Sequence, residues 1–124
     1  MSVEKVDTLI VGAGQAGIAL SGHLRNAGVP HLIVEKNRVA EAWRSGRWDA
    51  LVTNGPVWHD RFPDLEFAGN APDEFVSKDR VVAYLEEYAA MVKAPMMRRC
   101  KSSAMSTYCV RLLIQPIGML QIIN

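Results

Sequence analysis

The chain has 124 residues, 49% of them apolar and 22% charged, with a formal net charge of +1. This length bounds it to at most one domain, and the near-neutral balance argues against nucleic acid or an anionic membrane as the main partner. No apolar run approaches the roughly 20 residues that span a bilayer, no leader is expected ahead of the first strand, and Cys100 and Cys109 fit neither a CxxC redox pair nor a zinc pattern, so a reduced, cytoplasmic protein is expected.

In chain order, Asp7-Thr8-Leu9-Ile10-Val11 is an apolar run suited to a buried parallel strand. It leads directly into Gly12-Ala13-Gly14-Gln15-Ala16-Gly17, a G-x-G-x-x-G pattern, and a helix is expected from Gln15 to about Ala27, ended by Gly28 and Pro30. A second strand, His31–Val34, closes on Glu35. Strand, glycines, helix, strand and terminal acid in this order describe a dinucleotide-binding β-α-β unit. Gly12 permits the sharp turn, Gly14 leaves the backbone open to a pyrophosphate, and Gly17 allows close helix–strand packing. The helix start offers unpaired N–H donors and a positive dipole end to an anion. An acid at Glu35 suits a ribose diol and repels a 2′-phosphate, which points to FAD or NAD. A glycine-rich turn without a ligand is the plain alternative.

A doubly wound fold normally has five or six parallel strands. Here two are clear and a third is doubtful, so an incomplete α/β fold is expected. The stretch after Glu35 is rich in Trp and Arg, has no sustained period, and runs about 40 residues before the next clear helix, far beyond ordinary connections. Such excursions at the C-terminal edge of a parallel sheet handle ligands. Ser77 is placed to cap a helix from about Lys78 to Val92, with Val81, Leu85, Tyr88 and Val92 on its apolar face. His23 and His31 read as structural or solvated, and Trp48 and Trp58 as core residues. His59-Asp60 lacks a third partner at any recognisable spacing and reads as a loop pair. No metal spacing and no nucleophile elbow occur.

Together Gly12-x-Gly14-x-x-Gly17, Glu35, Trp43-Arg44, Arg47-Trp48-Asp49-x-Leu51, Thr53-Asn54 and Phe75-x-Ser77-Lys78 with Tyr84-Leu85-x-x-Tyr88-Ala89 resemble the flavin-containing monooxygenases and their bacterial relatives over about residues 5 to 95. The resemblance implies a Rossmann-like FAD-binding β-α-β domain with a parallel sheet. It implies cofactor contacts from Gly12, Gly14, Gln15, Gly17, Glu35, Lys36, Trp43 and Arg44. Asn54 is expected near the isoalloxazine as the catalytic residue, with Trp43 to Asn54 lining the flavin. In the intact family NADPH reduces FAD, and oxygen is transferred by way of a flavin C4a-hydroperoxide to a substrate this sequence does not name. Many members carry Gly-Gly before Thr-Trp, where this chain has Ala40-Glu41-Ala42-Trp43. No second G-x-G-x-x-G follows Gly17, so this chain alone is expected to be inactive. An NAD-binding module and a non-functional remnant are the other readings.

Residues 88 to 124 contain no Asp or Glu, although the first 87 hold all 13, and they carry five of the six methionines. The expectation is a partial FAD-binding domain over residues 1–95 and an atypical tail over 96–124, either out of frame or a divergent basic segment. The tail's Leu112–Ile114 and Leu120–Ile123 are strand-like.

Overall fold

Two parallel strands joined through a helix form the centre of the fold. In the computed structural model, which describes residues 3–98, 113–114 and 120–123, β1 (Val3–Val6) is followed by β2 (Thr8–Val11), α1 (Gln15–Asn26) and β3 (His31–Glu35). β2 and β3 are parallel, with Leu9 opposite Leu32 and Ile10 opposite Ile33. Then come the short helices α2 (Glu41–Arg44) and α3 (Val57–Asp60), the long helix α4 (Lys78–Met91), and β4 (Met96–Arg98), β5 (Leu113–Ile114) and β6 (Leu120–Ile123). The Rossmann-like β-α-β unit is therefore present.

Three expectations change. The first apolar run does not begin at Asp7: this residue is a bend between β1 and β2, and its amide donates to Pro30 O at 3.0 Å. β1 instead pairs antiparallel with β6, in a separate sheet ordered β1-β6-β5. The doubtful third strand forms as β4, parallel to β3 with Ile33 opposite Met96, which puts β3 in the middle of the order β2-β3-β4. The Trp-Arg stretch, read as aperiodic, contains the single helical turns α2 and α3. The two cysteines and most of the unusual tail lie outside the described residues.

Alternation along the strands sorts side chains onto two faces. Ile10, Ile33 and Met96 face α1 and α4, where Ile18, Val81, Tyr84, Leu85 and Tyr88 complete the main core. Ile18, Ile33 and Leu85 are at most 1% exposed, each such side chain stabilising the fold by about 1.5–3 kcal/mol. Among the described residues, the opposite face holds Val6 and Leu32 as buried residues, with Leu9, Val34 and Met97 partly covering them. β3 is buried on both faces at its start, as a central parallel strand requires.

α4 forms where Ser77 supplies an N-cap, its hydroxyl accepting the Arg80 N–H at 3.3 Å. The apolar positions Val81, Leu85, Tyr88 and Val92 are all buried, as their spacing predicts. Tyr84 carries more than apolar area. Its ring stacks on Phe67 at 3.8 Å between centroids, and its hydroxyl accepts the Phe62 N–H at 2.6 Å and donates to Leu65 O at 2.7 Å. Burial pushes its phenol above the ordinary tyrosine range. Tyr84→Phe keeps the stack and leaves two loop backbone groups without this partner. Chemical denaturation should show a loss of about 1–3 kcal/mol, with faster amide exchange at Phe62; unchanged exchange there would show that the loop does not depend on the hydroxyl.

Candidate functional site

The glycine turn is held to the end of β3 by two hydrogen bonds. Gly12 N–H donates to Val34 O at 2.8 Å, and Ala13 N–H donates to a Glu35 carboxylate oxygen at 2.6 Å. The other Glu35 oxygen accepts the Asn37 N–H at 2.8 Å. Gly12 has a φ of +101°, a conformation that side chains strongly disfavour. A Cβ on Gly17 would overlap the Gly12 carbonyl oxygen, so the helix start and the turn are in direct contact. At Gly14 the situation is the reverse: a Cβ would meet nothing within 4 Å.

That open space lies at the N-cap of α1, which has no side-chain cap and no acidic residue in its first turn. The first-turn amides of an α-helix have no intrahelical acceptors, and here neither a neighbouring hydroxyl nor a carboxylate competes for them. A diphosphate fits this donor set, because the amides favour an anion and the missing Cβ lets it approach. Each Glu35 oxygen has a second lone pair, so the carboxylate holds the turn and keeps capacity to accept from a diol.

Beyond β3 the chain returns over the glycine turn. Ala40 N–H donates to Ala13 O at 2.9 Å, and Ala40 is fully buried with φ at 59°, in the left-handed region. Ala40 precedes α2, which carries Trp43. A cavity of about 190 Å³ lies between α1, α2, the Thr53–Asn54 turn and α4, with Gln15, Trp43, Asn54, Asp60 and Tyr84 in its wall. Gln15, Trp43 and Asn54 of the sequence-derived site meet there. Gly12, Gly14, Gly17 and Glu35 form the adjoining turn, while Lys36 is exposed just past it.

Arg44 is directed elsewhere. Its Nε donates to Val39 O at 3.1 Å and its guanidinium pairs with Glu86 on α4. Arg47 lies over the Trp43 ring at 5.7 Å from its centroid, a cation–π contact. Trp48, in the loop after α2, and Trp58, on α3, read as core but are exposed at 65% and 56%. His31 is buried and structural, bonded to Ser21 and Val29 O. Lys78 is also buried: its ammonium donates to Asp49 at 2.7 Å and reaches the Arg44 and Arg47 carbonyls, tying the Trp-Arg loop to α4. This hydrogen bond, then the nearby charge, holds the Asp49 carboxyl below its ordinary range. At the start of α2, the hydrogen bond from Arg38 takes Glu41 down to about 2. Sequence reasoning passed over Asp60 and Tyr84 as site residues, since no spacing rule links either to the glycine turn.

Among the described residues no helix is long and apolar enough to cross a membrane, and no group of three His, Cys, Asp or Glu is placed to hold a metal ion.

Residues 5–48 match the family model of the FAD binding domain. The chain is 37% identical over 92 residues to an uncharacterized oxidoreductase CzcO-like protein of Geobacillus kaustophilus, covering 73% of this chain and 26% of that one. It is 40% identical over 83 residues to a probable indole-3-pyruvate monooxygenase, YUCCA1, of Arabidopsis thaliana, covering 66% and 20%. Among solved structures, a flavin-containing monooxygenase from Stenotrophomonas maltophilia superposes with a TM-score of 0.64 at 25% identity, covering 74% of this chain and 28% of that one. The chain thus spans about a quarter or less of the length of these curated relatives.

The two glycines three residues apart should separate binding from folding. Gly14→Ala, with open space around it and an ordinary φ of −86°, should leave stability within about 0.5 kcal/mol and weaken binding of a diphosphate-containing ligand. Gly17→Ala should cost about 1–3 kcal/mol through overpacking. Thermal unfolding and ligand titration of both variants check this, and equal stability losses would refute the division.

Proposed function

The chain belongs to the flavin-monooxygenase-like flavoproteins and carries an FAD-binding domain of that family, and on this premise we propose that residues Gly12 to Glu35 hold the adenosine diphosphate half of FAD. The acid-free start of α1 at Gly14, with no side-chain cap and open space around it, carries this reading. The amides from Gly14 onward would bind the diphosphate, with Gln15 at its edge. Glu35 would accept from the ribose hydroxyls, and Lys36 would lie beside them. Trp43 and Asn54, in the wall of the adjoining cavity, would border the flavin ring. Arg44 would act by fixing α2 against α4 through Glu86.

When bound, FAD supplies the redox and oxygen-transfer chemistry of the family, which in the whole protein would use NADPH as reductant. The part assigned to these residues is narrower. The helix amides orient the diphosphate, Glu35 selects an unphosphorylated ribose, the Trp43 face excludes water from one side of the cavity, and Asn54 presents an amide to it. Oxygenation of a substrate is proposed for the whole protein, with this chain holding the cofactor and not turning over alone.

The absorption spectrum of the purified chain, before and after acid release of bound ligand, tests the proposal. Flavin bands with released FAD are expected, and a colourless chain that takes up no added FAD would overturn it. Glu35→Ala removes a charged acceptor worth about 1.5–3 kcal/mol, so FAD affinity should fall at least about tenfold. Unchanged affinity would show that Glu35 does not hold the ribose.

A further inference from the structure

Asn54 sits at the middle of a turn gripped from two sides. On one side Thr53 N–H donates to Val76 O at 2.9 Å, and the Thr53 hydroxyl accepts the Val76 N–H at 3.2 Å. The same hydroxyl donates to Gly55 O at 2.8 Å. On the other side Gly55 N–H donates to an Asp60 carboxylate oxygen at 3.2 Å. This N–H belongs to the peptide that carries the Asn54 carbonyl, so Asp60 acts directly on the orientation of residue 54.

Asp60 is itself held. Its second carboxylate oxygen bonds His59 Nδ1 at 2.7 Å, and its backbone N–H donates to Pro56 O at 3.1 Å within α3. The approach is close: a Cβ at residue 55 would be 2.7 Å from the Asp60 oxygen and 3.0 Å from His59 Nδ1, so those side-chain ends would have to shift to admit it. The His59 side chain is 66% exposed and that of Asp60 28%, so the pair spans from solvent to the cavity wall that Asp60 shares with Asn54 and Trp43. Adjacent in sequence and lacking a spaced partner, the two residues do not form an acid–base triad. Their partner is a backbone amide five residues upstream.

We infer that Asp60 is a positioning residue that fixes the Asn54 amide toward the cavity, with His59 holding the Asp60 carboxylate in the required rotamer. The inference rests on the reading of this cavity as the border of the flavin ring. It adds a residue that acts on the ring's surroundings without binding the adenosine half. The glycine turn and the Asp60 clamp lie at different parts of the site, so their effects should separate into affinity and ring environment.

The test is titration of the full chain with FAD, following affinity by fluorescence and the ring's environment by the visible circular dichroism of the bound flavin. Asp60→Ala should change the dichroism in the same sense as Asn54→Ala. Asp60→Asn keeps an acceptor for Gly55 N–H and should restore the original spectrum. The double variant Asn54→Ala/Asp60→Ala should match Asn54→Ala alone. An unaltered spectrum for Asp60→Ala, or effects that add in the double variant, would overturn the inference while leaving FAD binding intact. Amide exchange in the chain without FAD provides an independent check: Gly55 should exchange faster in Asp60→Ala and at its original rate in Asp60→Asn, and unchanged exchange in the alanine variant overturns the clamp. If the unaltered chain takes up no FAD, the cofactor reading fails and this inference fails with it.

Discussion

The hydrogen bonds from the Gly12 and Ala13 amides to the Val34 carbonyl and the Glu35 carboxylate lock the turn after β2 onto the end of β3. The rest of the site depends on this lock. It fixes where α1 begins and hence where its free amides point. Ala13 O then receives the Ala40 N–H, so the returning chain and Trp43 are registered against the same turn. Glu35 thus holds the turn and the start of the next loop with one carboxylate, and the ribose contact proposed for it would share those same two oxygens.

A second constraint comes from the unequal faces of the parallel sheet. α1 and α4 cover one face with a continuous core, while the other has two buried residues among those described. The site is built on the well-covered side. Lys78 and Tyr84 on α4 hold the Trp-Arg loop and the Phe62–Leu65 segment through backbone carbonyls and amides. Irregular backbone buried against a helix must have its polar groups satisfied, and these two side chains do so. In effect α4 serves as the floor of the cavity and the anchor of its walls.

The β-α-β unit was legible because its determinants are local. Strand apolarity, glycines at fixed offsets and a terminal acid each act within a few residues, and the structure forms them in the expected order. The expected face of α4 was legible for the same reason, from 3.6-residue spacing. What could not be read was set by distant pairing. β1 separates from β2 because its partner is β6, more than a hundred residues away, and β4 forms because β3 offers a free edge. Asp60 looked like half of an idle pair because its partner is a backbone amide, which leaves no mark on sequence. Ala40 is the opposite case: alanine argues against a left-handed conformation, yet contact with Ala13 O holds it there. Arg44, Trp48 and Trp58 show how weakly residue type alone predicts direction in a segment of short helical turns and loops.

His31 has a consequence of another kind. Its Nδ1 must donate to the Val29 carbonyl, since a carbonyl cannot, and this leaves Nε2 as the acceptor of the Ser21 hydroxyl in the neutral ring. Both nitrogens are occupied in a residue 8% exposed, whereas His23 and His59 are exposed. An acylating reagent that attacks neutral imidazole nitrogen would therefore modify two histidines of the folded chain at once and His31 only when α1 parts from β3. The slow third modification becomes a clock for opening of the nucleotide-binding unit, written into the chain without any added label.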